Sequence, residues 1–184
     1  MVPYINMDRS DQQLVADYLK GDEKSLEILI QQYLKPIYNF VYRYAGNAQD
    51  AEDITQDVFM KVWRNLKKFD RQKSFKSWIF TIAKNASIDA LKKKKPAPFS
   101  EFSVIETIAD PSPSPNEIFE RKEISQMLSL LINKLPLKYR EVLFLRYSNG
   151  LAFQKIAESL NEPLNTVKSR HRRALITLKK FLKE

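Results

Sequence analysis

Lys168, Ser169, Arg172 and Arg173 stand at offsets of zero, one, four and five. On a helix that spacing gathers four hydrogen-bond donors on one face. Arginine and lysine can pair with guanine acceptors in the major groove, and extra cations nearby can hold phosphates. From Lys168 to Lys183 there are seven basic residues and no acid. Taken alone, such a run also describes a solvated basic face that stabilises a helix C-terminus. A second group mixes rings and cations: Phe69, Arg71, Lys73, Phe75, Lys76, Trp78 and Phe80. Interleaving of this kind suits unstacked bases and their phosphates. Phe75 and Trp78 also fit a helix core stripe, and for those two packing is the preferred reading. A third group sets Glu52, Gln56, Phe59 and Trp63 on one face, with Asp50, Asp53 and Asp57 beside them. It suits either helix-dipole stabilisation with ordinary packing or a partner that presents basic helices.

What is missing narrows the chemistry further. The 184 residues contain no cysteine, one histidine (His171) and three glycines. Disulfides, thiolate metal sites and cysteine nucleophiles are excluded, and histidine-centred catalysis has almost nothing to work with. No GxGxxG or phosphate-binding loop can be written. The expectation is no enzyme, no catalytic residue, no metal and no cofactor. Asp50, Asp53 and Asp57 are the only candidates for a metal-dependent nuclease. The formal charge of +9 points to nucleic acid or an anionic membrane as partner. There is no bilayer-length apolar run, and the first residues lack the order of a signal peptide, so a cytoplasmic location is expected.

The elements that must position these groups are helical. Residues 1–95 carry 17 basic and 12 acidic side chains, residues 96–118 none and 4, and residues 119–184 14 and 6. The middle stretch holds five of the nine prolines, so it reads as an extended acidic tether between two basic lobes. In the first lobe Ser10 and Gln13 have capping-box spacing, Gly21 can end a helix, and Asp22 can cap the next. Leu26 to Tyr44 keep a 3.6-residue period across Pro36, which should bend or interrupt the helix. Further helices are expected over about 50–67 and from Ser74 to about Lys94. The third carries the core stripe Ala51, Ile54, Val58, Val62 and Leu66. The fourth places Thr81, Lys84, Asn85, Ile88, Lys92 and Lys95 along one side.

In the second lobe helices are expected at about 116–133, 137–148, 153–160 and 165–182. No alternation of period two appears, so the fold class is all-α, with two small helical domains joined by a linker. The last two helices have helix-turn-helix form. Ile156, Ala157 and Leu160 turn inward, and Asn161-Glu162-Pro163-Leu164 makes the turn. Asn161 is suited to a left-handed backbone there. Val167, Ala174, Leu175 and Leu178 face the core. The turn, the small Ala157 and the four-donor face together favour DNA binding over a bland basic surface. His171 is expected to pack rather than catalyse.

Two motif sets carry a family resemblance. Residues Asp50 to Phe59 (DAEDITQDVF), with Phe75-Lys76-Ser77-Trp78-Ile79 and Ile82-Ala83-Lys84-Asn85, resemble region two of the bacterial sigma factors. Leu135-Pro136, Arg140 to Arg146, Ile156-Ala157-Glu158 and Thr166 to Arg170 resemble region four. The chain is similar to the extracytoplasmic-function (ECF) group of the sigma-70 family, over about residues 8–182. The resemblance implies a region-two domain at 8–95, an acidic linker at 96–118 and a region-four domain at 119–184. It implies a promoter-specificity subunit that binds core RNA polymerase, reads −10 and −35 elements and helps to open the promoter. Asp50, Glu52, Asp53, Gln56, Phe59 and Trp63 would then dock on the clamp helices of the largest polymerase subunit. Asn85, with Lys84 and Lys92, would meet the −10 strand. Lys168, Ser169, Arg172 and Arg173 would read the −35 element, and region four would also dock on the flap tip of the second largest subunit. An anti-sigma factor is a further implied partner, and the free chain is expected to be monomeric. Asn161 and Asn165 stand where the family often has glycine, and His171 where it often has leucine. The rival reading is a stand-alone helix-turn-helix transcriptional regulator, which leaves the acidic-aromatic helix and the linker without purpose.

Overall fold

The computed structural model describes residues 9–93 and 127–183. The described residues contain helices and turns and no strand. The acidic tether, the N-terminal part of the 116–133 helix and Lys95 lie outside them.

Four helices build the N-terminal part. Helix α1, Asp11–Leu19, starts on the expected capping box: Ser10 Oγ accepts from the Gln13 amide at 3.3 Å, and Gln13 Oε1 accepts from the Ser10 amide at 2.8 Å. Helix α2, Glu23–Ala45, follows. Asp22 holds its N-cap position without a side-chain bond to the helix backbone. Its carboxylate instead accepts from Ser25 Oγ at 2.6 Å and from Arg9 at 3.4 Å. The helix runs unbroken through Pro36, contrary to an interruption there. The bond lost to proline is one in 23 residues, and burial of Leu29, Tyr33, Ile37, Phe40, Val41 and Tyr44 outweighs it.

Gly46 ends α2 at φ 75°, in the left-handed region that a side chain would strain. Asn47 at once caps helix α3, Ala48–Asn65, accepting from the Asp50 amide at 2.9 Å. The expected stripe Ala51, Ile54, Val58, Val62 and Leu66 is buried throughout. A short 3₁₀ turn, Leu66–Lys68, leads to helix α4, Phe75–Lys93, whose start is held by Ser74 Oγ accepting from the Ser77 amide at 3.2 Å.

The C-terminal part opens with α5, helical over 127–133. Pro136 breaks the chain and begins α6, Leu137–Leu143, which continues as a π-helical turn, Phe144–Ser148. Helix α7, Phe153–Leu160, and helix α8, Leu164–Phe181, complete the chain. Asn161 joins them with φ 49° and ψ 50°, the left-handed turn expected of it, and it is the one non-glycine residue with positive φ among those described.

Helices α2, α3 and α4 pack on one another, with α1 laid across α2. The other side of α4 packs on α7, so one apolar cluster runs from Leu14 to Val167 through both parts of the chain. Phe40 lies at its centre, with ring centroids 5.3 Å from Tyr44, 5.3 Å from Phe80 and 6.0 Å from Phe144. A second, smaller cluster joins Leu135, Leu143 and Ala174, flanked by Tyr139, Leu178 and Phe181.

Phe40→Ala removes a fully buried ring and should cost roughly 3–5 kcal/mol in urea unfolding. A loss below about 1 kcal/mol would contradict a shared core centred on this ring. At Asn161, substitution by glycine should leave the thermal midpoint nearly unchanged, whereas valine should cost about 1–2 kcal/mol. Equal midpoints for both would mean that the turn is not left-handed.

Candidate nucleic-acid interface

The recognition face is built by the turn and by three small contacts. Ile156, Leu160 and Val167 are buried and fix α8 against α7, while Ala157 keeps the crossing close. Pro163 precedes α8, and its carbonyl accepts from the Val167 amide at 3.1 Å. Lys168, Ser169, Arg172 and Arg173 then stand exposed on the opposite face, as the spacing requires. Arg170 does not join them. Half-buried, it pairs with Glu162 at 2.9 Å and so ties the recognition helix to its own turn. Leu175, expected in the core, is 42% exposed, and Ile176 is 58% exposed. The core on this side is only as wide as Leu135, Leu143 and Ala174, and the helix outruns it.

Beside the recognition helix lies an open cleft of about 450 Å³, lined by Lys138, Tyr139, Asn165, Thr166, Ser169, Arg170 and Arg173. Lys138 and Arg173, with several hydroxyl or amide groups around one cleft, suit a backbone phosphate. Lys138 and Tyr139 were not singled out in the sequence, because α6 meets α8 only through tertiary packing. His171 packs as expected: Nε2 lies 3.0 Å from the Tyr147 hydroxyl, and its ring meets Phe153 edge-on at 5.0 Å. Burial, with Arg146 nearby, lowers its pKa and favours the neutral imidazole.

In the N-terminal part the rings of the aromatic-cationic segment turn inward. Phe69, Phe75 and Phe80 are buried. Trp78 is half-buried, 4.8 Å from Phe69 and 5.7 Å from Phe75. Packing therefore takes up the rings, and the cations Arg71 and Lys73 remain exposed. Asn85 and Lys92 are also exposed on α4. Lys84 is not presented outward: its Nζ donates to the Leu160 carbonyl at the end of α7.

The acidic face of α3 divides. Asp50 accepts from Asn47 Nδ2 at 2.8 Å and belongs to the helix cap. Phe59 is partly buried against the core. Glu52, Asp53, Gln56 and Asp57 are exposed, beside Met60 and Trp63, which are 44% and 51% exposed. Trp63 Nε1 donates to the Tyr18 hydroxyl at 3.0 Å, which orients the ring from α1. Met60 was missed, although it lies four residues after Gln56 on the same face. Among the described residues no group of three or more acidic or histidine side chains could hold a metal, which leaves the Asp50, Asp53 and Asp57 reading without support. No described helix is long and apolar enough to cross a membrane.

Among the described residues, a helix-turn-helix with four donors exposed on its second helix is the architecture of a DNA-binding module. Residues 29–96 match the Sigma-70 region 2 family, and residues 125–178 match Sigma-70, region 4. The ECF RNA polymerase sigma factor SigW of Bacillus subtilis is 35% identical over 174 residues, covering 90% of this chain and 92% of that one. The ECF RNA polymerase sigma-E factor of Escherichia coli K12 is 30% identical over 174 residues, covering 90% of each. Among solved structures, CnrH in complex with the cytosolic domain of CnrY superposes with TM-score 0.68 at 22% identity, over 94% of this chain and 97% of that one. RpoE of Bartonella quintana, in complex with the anti-sigma factor NepR, gives 0.66 at 24% identity, over 87% and 98%. These two likenesses concern the fold. The chain belongs to the ECF group of the sigma-70 family of RNA polymerase sigma factors. Members are transcription initiation factors and not enzymes.

Glu162→Ala should remove the ion pair that anchors Arg170. Because both groups are partly exposed, the expected loss of stability is about 1 kcal/mol or less, read by thermal unfolding. A loss above about 3 kcal/mol would show that the pair carries the turn rather than adjusting it.

Proposed function

We propose that this chain directs core RNA polymerase to promoters through two separate readouts. The exposed face of Lys168, Ser169, Arg172 and Arg173 reads the −35 element in the major groove. The Lys138–Thr166 cleft holds an adjacent phosphate and sets the register. Asn85 on α4 accepts an unpaired −10 base, with Lys84 and Lys92 on the strand backbone. Capture of that strand offsets the few kcal/mol that unstacking costs. The domain boundaries follow the same division: a region-two module over 8–95, a linker over 96–118 and a region-four module over 119–184.

The exposed part of the α3 face, Glu52, Asp53, Gln56 and Trp63, docks on the basic clamp helices of the largest polymerase subunit. Asp50 and Phe59 support that face, as cap and as core. Region four engages the flap tip of the second largest subunit, and an anti-sigma factor competes for these surfaces. The observation that carries the reading is the exposure of four donors together on the N-terminal half of the recognition helix, while Arg170 between them is paired internally with Glu162. A stand-alone regulator would account for that face and leave the exposed Trp63 and its acidic neighbours unexplained.

Base readout is tested with polymerase loaded with this chain. Lys168→Ala or Arg172→Ala should cost about 1–3 kcal/mol on a matched −35 element and relax preference there. An equal loss on a scrambled −35 sequence would reduce the contact to phosphate binding. Asn85→Ala should impair opening of duplex promoter and do much less harm on a pre-melted bubble. Equal defects on the two templates would remove Asn85 from the opening step.

A further inference from the structure

Tyr147 stands on the π-helical turn Phe144–Ser148 and is 65% exposed. A side chain that open to water ordinarily changes rotamer freely. This one is held. Its hydroxyl lies 3.0 Å from His171 Nε2, and the two rings stack at 30° with centroids 5.8 Å apart. His171 is fixed in turn by the Phe153 ring, edge-on at 5.0 Å. The Arg146 guanidinium lies 5.0 Å from the centroid of that ring and donates to the Leu151 carbonyl at 3.2 Å. Side chains of α7 and α8 thus pin an exposed phenol of the π-helical turn. Tyr147 belongs to neither apolar cluster, so core packing does not account for it.

His171 sets where this phenol stands relative to the recognition helix. Successive residues of a helix are about 100° apart, so Arg170 and His171 lie on opposite sides of the buried pair Val167 and Ala174. Past Arg170, the exposed face borders the cleft with Lys138, Tyr139 and Thr166. Past His171, it borders Tyr147. A helix lying in the major groove, which is about 12 Å wide, has a phosphate backbone on each flank. The cleft offers donors to one backbone, and the Tyr147 hydroxyl stands on the other flank.

The chemistry of the pair suits that place. A phenol has one proton and two lone pairs, and a neutral imidazole has one N–H. Burial, with Arg146 nearby, favours the neutral form of His171. With its proton on Nε2, the imidazole donates to the phenolic oxygen and leaves the phenolic proton for an outside acceptor. A phosphate oxygen is such an acceptor, and its charge makes the bond roughly twice as strong as a neutral one.

We propose that Tyr147 is a further promoter contact, whose hydroxyl donates to a backbone phosphate on the flank of the recognition helix opposite the Lys138–Thr166 cleft, and that His171 is its positioning residue. The contact carries no base information. It fixes the angle at which the recognition helix sits, because both flanks are then tied. The inference rests on the promoter reading given above and adds to it the second strand.

The test uses core polymerase loaded with the full chain, and promoter duplexes in which single phosphates around the −35 element are replaced by neutral methylphosphonates. Tyr147→Phe keeps the ring and its stacking. It should weaken binding about tenfold, on matched and scrambled −35 sequences alike, the effect of losing one hydrogen bond to a charged group. One phosphate whose neutralisation weakens the parent should cease to matter to Tyr147→Phe. In His171→Leu the new side chain packs on Phe153 but offers nothing to the phenol. It should lose about as much as Tyr147→Phe, and the double variant no more than either. His171→Gln, whose amide still reaches the phenol, should regain most of the loss. Unchanged affinity of Tyr147→Phe, or the same response of parent and variant to every neutralised phosphate, overturns the contact. Additive losses in the double variant overturn the positioning role of His171. A parent that binds matched and scrambled −35 duplex equally, with the Tyr147 phosphate signature intact, overturns the promoter reading and leaves the contact standing.

Discussion

The arrangement depends on how Phe144 and Glu141 of one module are received by the other. Phe144 packs on Phe40 and Phe80 while Arg43 covers its remaining face. Glu141 takes the Tyr44 hydroxyl one helical turn before it. Apolar burial supplies the non-directional part of this joint, and the buried acid supplies the directional part. Without the joint, the Gly46 and Asn161 turns still lie each within one module. Keep it, and α4 is covered by α7.

That constraint explains why the two surfaces proposed to face DNA differ so much in exposure. The recognition helix turns its donors away from the joint, because Val167 and Ala174 face inward and Arg170 is held by Glu162. Helix α4 lies in the joint itself, so Lys84 is engaged while Asn85, one residue on and 100° around the helix, is exposed. The acidic-aromatic face of α3 stands away from both. An exposed acidic-aromatic face, a partly covered helix α4 and an open recognition-helix face thus coexist in one chain.

Much of this was legible in the residue pattern. The Phe153–Leu160 helix, the left-handed Asn161, the α3 core stripe and the Ser10 capping box all follow from local rules, because each is decided within one or two helical turns. Leu175 was misjudged for a tertiary reason: periodicity names a face but not the width of what it meets. Phe80 illustrates the same limit, since a ring between cations reads as a stacking platform until the core that takes it is known. Lys84 and Glu141 are the clearest case. Nothing local links Lys84 to the Leu160 carbonyl or Glu141 to the Tyr44 hydroxyl, and both contacts exist only after the modules pack. Met60 could have been found from its i+4 spacing to Gln56.

The central claim is that this chain redirects transcription only when mounted on core polymerase. The most direct measurement is in vitro transcription with core enzyme, with and without the chain, mapping the 5′ ends of the products on genomic DNA. The account predicts a discrete set of start sites that appears only with the chain and shares paired upstream elements at −10 and −35. Identical 5′ ends in both reactions, with the chain demonstrably folded, would contradict it.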